Sequence, residues 1–264
     1  MKPVVAACSA ILPGEEDFRL HLENAGFGAV EWTFSESVYP DDTARIERFA
    51  AALREAGELP VRYHAKFPTY ELGHRDAEFA GKSLEFLKGF VDFISTLRGS
   101  FITAHFGLGF DERELDVPTA CTNLRELARH GREKGVTVCL ENLFTRPTAD
   151  LGVFEKILEE TGMPGVLDIG HVRTYCDDGS ADRKIIDFLR KMKGKIAGAH
   201  LYQDEINSGH KPLASLDSNK EVLEALIEAD CSWWVAELHK LEYALKSKAV
   251  IDEFAALRSK TAGK

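Results

Sequence analysis

The sequence lacks several features that would place it in a special class of protein. No run of apolar residues approaches the roughly 18 needed to cross a bilayer, which argues against a membrane span. No C-x-x-C motif occurs, and no Pro-, Gly- or Ser-rich linker or low-complexity block divides the chain. The five cysteines are odd in number and widely spaced, which is typical of free thiols in a reducing compartment rather than of a disulfide framework. They are Cys8, Cys121, Cys139, Cys176 and Cys231.

An excess of positive charge is also missing. The chain has 33 Lys and Arg residues against 43 Asp and Glu residues, a formal net charge of -10 and a pI near 5.4. Proteins that bind duplex DNA usually present a basic face. The net negative charge therefore argues against a nucleic-acid partner, although it does not exclude a local basic cleft.

The N-terminal residues need one check for a targeting signal. Residues 5–8, V-A-A-C, resemble a lipoprotein cleavage box, but too few residues precede Cys8 for the charged and apolar regions of a signal peptide. We interpret residues 4–7 as a first core strand and expect a cytoplasmic protein with no membrane partner. The sequence is compatible with either a monomer or a homo-oligomer.

The fold class follows from two alternating patterns along the 264 residues. Short apolar runs typical of buried strands alternate with segments whose apolar residues recur at helical spacing. The predicted strands are 4–7, 29–32, 61–64, 101–105, 136–141, 165–168, 196–201 and 233–238. The predicted helices are 15–25, 41–57, 76–97, 118–134, 151–161, 181–192, 219–229 and 241–257. This alternation favours an α/β protein with one domain over residues 1–264, a single (β/α)8 barrel; an open parallel sheet is the alternative.

Residues of metal-binding type stand near the ends of most predicted strands, at a mean spacing of about 34 residues, which is one strand–helix unit. They are Glu31, His64, His105, Glu141, Asp168, His200 and Glu237. Since the carboxyl ends of parallel barrel strands open at one mouth, these side chains should gather there. Buried charges are unfavourable unless they are paired or bound to metal, so the pattern predicts either a metal site or a salt-bridged polar core.

Glu141, Asp168, His200 and Glu237 come from four consecutive predicted strands. Three carboxylates and one imidazole form a hard, oxygen-rich ligand set that favours Mn²⁺ or Mg²⁺ and admits Zn²⁺ or Co²⁺. We therefore predict that they bind one divalent metal ion. His171 follows Asp168 by three positions, with Gly170 predicting a turn between them. Such a pair is consistent with metal ligands, acid–base groups or a hydrogen-bonded structural pair.

Four motifs in this sequence resemble the xylose-isomerase-like TIM-barrel superfamily of sugar-phosphate isomerases and epimerases, hydroxypyruvate isomerase, inosose dehydratase and apurinic-site endonucleases. They are L-E-N-L at 140–143, L-D-I-G-H at 167–171, A-H-L-Y-Q-D at 199–204 and V-A-E-L at 235–238. The resemblance implies that Glu141, Asp168, His200 and Glu237 are metal ligands. It further implies that Glu141 and Glu237 exchange a proton with the substrate and that His171 contacts substrate or metal-bound water, which makes these three the catalytic residues.

The endonuclease branch of the superfamily is one alternative. His64 and His105 match residues that would bind a second metal bridged by Glu141, although isomerase-like members also carry histidines at these strands. The branch has an Asp-x-His after the seventh strand, where this sequence reads Ser208-Gly209-His210. A third ion would be left with His171 and His210, which predicts too few ligands for it.

Further pocket residues are predicted from their positions after strands at the same mouth. The predicted substrate-binding residues are His64, His105, Glu31, Lys66, Asp204 and His210. Lys66, Arg146 and Lys211 could hold a phosphate or carboxylate, or they could be solvated loop charges. The epimerase branch places a substrate-binding Arg in the loop after the seventh strand, where residues 205–211 contain none, so we do not expect the substrate of a well-matched ketose epimerase.

These observations predict a divalent-metal-dependent isomerase or epimerase. Its substrate would be a small sugar, sugar phosphate or hydroxy-keto acid, and the reaction a proton transfer through an enediolate. The alternatives are an inosose-dehydratase-like dehydratase, an apurinic-site endonuclease-like hydrolase and a non-catalytic metal-binding barrel. The expected partner is a small carbohydrate or sugar acid.

Overall fold

The structure is a computed structural model that describes residues 2–15, 17–145, 147–176, 178–206 and 209–262. Eight of its strands form the central sheet. They are β1 (Val4–Cys8), β2 (Ala29–Ser35), β3 (Val61–Lys66), β4 (Phe101–Ala104), β5 (Thr137–Glu141), β6 (Gly165–Asp168), β7 (Ile196–His200) and β10 (Trp233–Ala236). They close into a parallel barrel in the order β1–β10–β7–β6–β5–β4–β3–β2. The predicted (β/α)8 barrel is therefore confirmed, and the open-sheet alternative is wrong.

Helices follow the barrel strands on the outside. They are α1 (Phe18–Asn24), α2 (Thr43–Glu55), α3 (Ala77–Ser95), α4 (Val117–Glu133), α5 (Leu151–Thr161), α6 (Ile169–Tyr175), α7 (Ala181–Lys191), α8 (Leu216–Glu228) and α9 (Leu241–Ala262), with short 3₁₀ turns at Ser9–Ile11 and Glu112–Glu114. None of the helices in the described part of the chain is both long enough and apolar enough to cross a membrane.

The third helix illustrates how the sequence fixes these elements. The carboxylate of Asp76 accepts hydrogen bonds from the backbone N–H groups of Glu78 and Phe79 at 2.9 and 3.0 Å, which satisfies donors that the first helical turn leaves unpaired. One face of α3 then buries Phe90 and Ile94 completely against the barrel. Full burial of each such side chain contributes about 1.5–3 kcal/mol.

Two elements after the sixth and seventh barrel strands differ from the prediction. The chain after Asp168 does not simply turn at Gly170 but forms α6, because the Asp168 carboxylate accepts the N–H of His171 at 2.7 Å and caps the helix. After β7, the strands β8 (Glu205–Ile206) and β9 (Gly209–His210) form an antiparallel ribbon in which Glu205 lies opposite His210. Both elements lie beside the carboxyl end of the barrel and shape the site there.

Candidate functional site

The carboxyl ends of four neighbouring strands bring four ligand-type side chains together. Glu141, Asp168 and His200 are the last residues of β5, β6 and β7, and Glu237 directly follows β10. All four are buried, and one potential ligand atom from each lies within 4.8 Å of the others. The predicted four-residue group, which we call the acidic centre, is thus brought together by the fold.

The geometry of the acidic centre fits a divalent cation. Nδ1 of His200 lies 3.0 Å from Oε1 of Glu141, 3.0 Å from Oε2 of Glu237 and 3.8 Å from Oδ2 of Asp168. Those oxygens of Asp168 and Glu237 are buried without a hydrogen-bond partner among the described residues. Ligand atoms at these separations suit an ion with bonds of about 2.0–2.2 Å, which would pair both oxygens and offset the repulsion among three carboxylates.

Protons substitute for that positive charge when no cation is bound. Burial lowers the pKa of His200, but the surrounding charges of Glu141, Glu237 and Glu31 outweigh it and raise the pKa well above its ordinary value. Burial and the charge of Glu141 raise the pKa of Asp168 well above its ordinary value. Since metal ligands must be deprotonated, cation binding here would release protons.

Glu31 lies beneath His200 and not at the open side of the site. Its Oε1 is 2.7 Å from Nε2 of His200, and Oε2 is 3.4 Å from the hydroxyl of Thr103. Glu31 is only 2% exposed. A carboxylate that accepts the Nε2 proton fixes the tautomer in which Nδ1 faces the acidic centre.

His64 and His105 form a second group around Glu141. Their Nε2 atoms lie 2.9 Å apart and 3.2 and 3.1 Å, respectively, from Oε2 of Glu141. Nδ1 of His105 lies 3.1 Å from the carbonyl oxygen of Ala65. Because a carbonyl only accepts, Nδ1 carries the proton and the lone pair of Nε2 points towards Glu141. This arrangement could hold a second cation or hydrogen-bond a substrate oxygen.

A third group consists of His171, Glu205 and His210, with ligand atoms again within 4.8 Å of one another. Nδ1 of His171 donates to the carbonyl of Asn142 at 2.8 Å, and Nδ1 of His210 donates to the carbonyl of Glu237 at 2.6 Å. Both Nε2 atoms therefore keep a free lone pair. Oε2 of Glu205 is buried without a hydrogen-bond partner among the described residues.

The third group corrects the expectation that a third ion would have only two histidines. The carboxylate that sequence analysis missed is Glu205, which the antiparallel ribbon places opposite His210. An available signal was the turn-forming sequence N-S-G at 207–209, which favours a tight hairpin and so pairs the residues on either side of it.

The other predicted residues have different surroundings. Oδ1 of Asp204 is buried without a hydrogen-bond partner among the described residues and lies 3.9 Å from Nζ of Lys211. Arg146 lies outside the described residues. Lys66 lines a cavity of about 420 Å³ that also contacts His64 and Glu237. Arg45 and His239 line the same cavity, and sequence analysis missed both because tertiary packing alone brings α2 and the loop after β10 to it.

Comparisons with known proteins agree with this architecture. The family described as xylose isomerase-like TIM barrel matches residues 21–254. The uncharacterized protein MJ0008 of Methanocaldococcus jannaschii is 21% identical over 195 residues, which cover 74% of this chain and 80% of that protein.

Two solved structures share the fold at low sequence identity. A D-tagatose 3-epimerase-like protein is 17% identical with a TM-score of 0.77, over 99% of this chain and 100% of that one. The IolI protein, solved with a zinc atom, is 18% identical with a TM-score of 0.70, over 99% of this chain and 96% of that one. At such identities the likeness concerns the fold. Because the family match spans nearly the whole barrel, the chain belongs to the xylose isomerase-like TIM-barrel family.

Proposed function

We propose that the protein is a divalent-metal-dependent isomerase or epimerase that moves a proton between adjacent carbons of a small polyhydroxy carbonyl compound. The observation that carries the proposal is the acidic centre, whose Glu237 also lines an open cavity of about 420 Å³. That volume is within the range of small-molecule sites. A divalent ion bound by these ligands supplies Lewis-acid polarisation of a carbonyl group, which acidifies the neighbouring C–H. Mn²⁺ or Mg²⁺ suits the oxygen-rich ligands, and Zn²⁺ or Co²⁺ is also compatible.

The two catalytic carboxylates have distinct surroundings in this proposal. Glu237 lines the cavity and is 8% exposed, whereas Glu141 is 1% exposed and contacts four histidines. Glu237 therefore removes or returns the α-proton on the cavity side. Glu141 exchanges a proton on the other side, where Nε2 of His64 lies 3.2 Å from its second oxygen. Proton transfer by a positioned carboxylate contributes about 10²–10⁴ in rate.

The neighbouring residues orient the substrate and the ligands. The Nε2 lone pair of His171 accepts a substrate hydroxyl, since its Nδ1 proton is engaged by Asn142. Lys66 contacts the substrate from the end of β3, and Asp204 and His210 contact it from the segment after β7, while Glu31 acts through His200. Together these groups hold an enediolate form of the substrate in place while the proton moves.

The proposed reaction is tested by turnover in D₂O. The Mn²⁺-loaded protein is screened against ketoses, sugar phosphates and hydroxy-keto acids, and the products are examined by mass spectrometry and NMR. We expect carbon-bound deuterium in the product and its loss in Glu237→Gln, with the exposed Glu242→Gln on α9 as the matched control. Manganese content of each variant separates lost chemistry from lost metal. Complete retention of substrate hydrogen contradicts proton transfer, and net loss of water supports the dehydratase instead.

A second candidate is a metal-dependent phosphodiester hydrolase. It is favoured by the third group, because Glu205 completes a set of three neighbouring groups that could each hold an ion. Incision of abasic duplex DNA by the pure protein, abolished in both Glu141→Ala and Glu205→Ala, would establish this activity. Absence of incision with Zn²⁺, Mn²⁺ and Mg²⁺ would dismiss it.

A further inference from the structure

One wall of the cavity beside the acidic centre is cationic, although the chain as a whole carries a net charge of -10. Lys66 reaches it from the end of β3 and Arg45 from the first turn of α2. Among the described residues that line the cavity, Glu237 is the sole carboxylate, and it belongs to the acidic centre. Two cationic side chains, Lys66 and Arg45, thus come from separate elements and line the same space as Glu237 and His64.

Lys66 and Arg45 both have N–H groups that no described residue accepts. No described carboxylate forms an ion pair with Lys66, in contrast to Lys82, which pairs with Glu78 at 2.7 Å. Arg45 pairs through Nε with the largely buried Glu15, so its guanidinium is held in place while its two terminal nitrogens have no hydrogen-bond partner among the described residues. A fixed guanidinium with free N–H groups is well suited to an oxyanion.

A hydroxyl group adds a neutral donor to the same wall. Oγ of Ser9 accepts the backbone N–H of Thr33 at 3.0 Å, and both residues line the cavity. Since that bond uses a lone pair of the oxygen, the hydroxyl proton is left to donate elsewhere. The wall therefore offers an ammonium, a guanidinium and a hydroxyl, and these donors match the acceptor oxygens of a phosphate or carboxylate.

We propose that this wall binds a terminal anionic group of the substrate, a phosphate or a carboxylate, while the reacting carbons lie next to Glu237 and His64. This inference rests on the proposed function and narrows it: the substrate is an acidic sugar derivative rather than a neutral ketose. The charged end fixes which carbons face the acidic centre. The competing interpretation is that Lys66 and Arg45 are solvated charges without a ligand, which predicts no specific anion binding.

Binding of inorganic phosphate and of acetate to the full-length chain tests the proposal, by calorimetry at fixed ionic strength, with and without bound Mn²⁺. The variants are Lys66→Gln and Arg45→Gln. The matched control is Lys240→Gln, because Lys240 directly follows the lining residue His239 but does not itself line the cavity. Loss of one charge-assisted hydrogen bond should weaken binding by about tenfold or more. We expect this for both cavity variants and no change for Lys240→Gln.

The pattern of results separates this inference from the proposed function. Phosphate bound more tightly than acetate identifies a phosphorylated substrate, and the reverse identifies a sugar acid. Wild-type protein that binds neither anion, or binding that survives in both cavity variants, overturns the inference. Deuterium exchange into neutral ketoses together with no anion binding would leave the isomerase proposal standing and reject the acidic substrate. Anion binding without any exchange reaction would support the anion site and reject the isomerase proposal.

Discussion

Glu71 offers a quantitative test of the structure near the site. It lies in the loop after β3, is 1% exposed, and accepts the backbone N–H groups of Gly73 and Gly107 at 2.7 and 2.6 Å. Gly107 follows His105 by two residues, so Glu71 ties the loop after β3 to the loop that leads away from this histidine. Burial raises the pKa of Glu71 from 4.5 to about 7, although both N–H groups act in the opposite direction.

The raised pKa of Glu71 makes folding stability depend on pH with a definite sign. In the unfolded chain the carboxyl group loses its proton near pH 4.5, whereas the folded protein keeps it until about pH 7. The stabilising contribution of the protonated form is therefore complete below pH 4.5 and is lost as the pH rises through 7. A difference of this size corresponds to about 3 kcal/mol in total, of which about 2–3 kcal/mol falls between pH 5 and pH 8.

The assay is urea unfolding of wild type and Glu71→Gln at both pH values, with a chelator present so that metal binding does not contribute. Because glutamine does not titrate, the stability difference between the two proteins should change by about 2–3 kcal/mol from pH 5 to pH 8, with wild type relatively more stable at pH 5. Glu78→Gln, at an exposed position of α3, should show no such change. A wild-type-minus-variant difference that is flat across this range would refute the reasoning.

Two further substitutions examine the support of the acidic centre. Gly170→Ala would place a Cβ 2.0 Å from the ring of Tyr202, so we expect the free energy of unfolding in urea to fall by about 3 kcal/mol. The control Gly81→Ala has open space in α3 and should leave the stability unchanged or raise it. Equal stability of the two variants would be inconsistent with the packing. Glu31→Ala removes the acceptor for Nε2 of His200 and should weaken Mn²⁺ binding by about 10–100-fold, with Glu31→Gln closer to wild type; unchanged affinity in the alanine variant would show that Glu31 does not position the ligand.

The barrel strands are predictable from sequence because most of them combine a short apolar run with a polar residue near the carboxyl end. The runs before Glu141, Asp168 and His200 show this pattern, and the parallel topology then brings the strand ends to one mouth. The order of the strands along the chain is thus enough to predict that the residues of the acidic centre come together. Periodicity fails at α6, because a seven-residue helix with Gly170 inside it gives little helical signal.

The remaining site features depend on tertiary contacts, which the local sequence does not predict. Glu31 stands near the end of the predicted strand 29–32, but β2 continues to Ser35. Glu31 therefore lies inside the strand, with its carboxylate under His200. Arg45 and His239 reach the cavity only through the packing of α2 and the loop after β10. Glu205 joins the third group through a two-strand ribbon too short to produce a recognisable strand pattern.

The most direct test of the central claim is anomalous diffraction from crystals of the chelator-treated protein soaked in Mn²⁺. We expect a peak within about 2.0–2.3 Å of ligand atoms from Glu141, Asp168, His200 and Glu237, and its loss in crystals of Glu237→Gln soaked at a Mn²⁺ concentration near the wild-type Kd. Additional peaks at the second or third group would define further ions. Wild-type crystals with no peak among these four residues at saturating Mn²⁺, or with peaks at other places alone, would contradict the account.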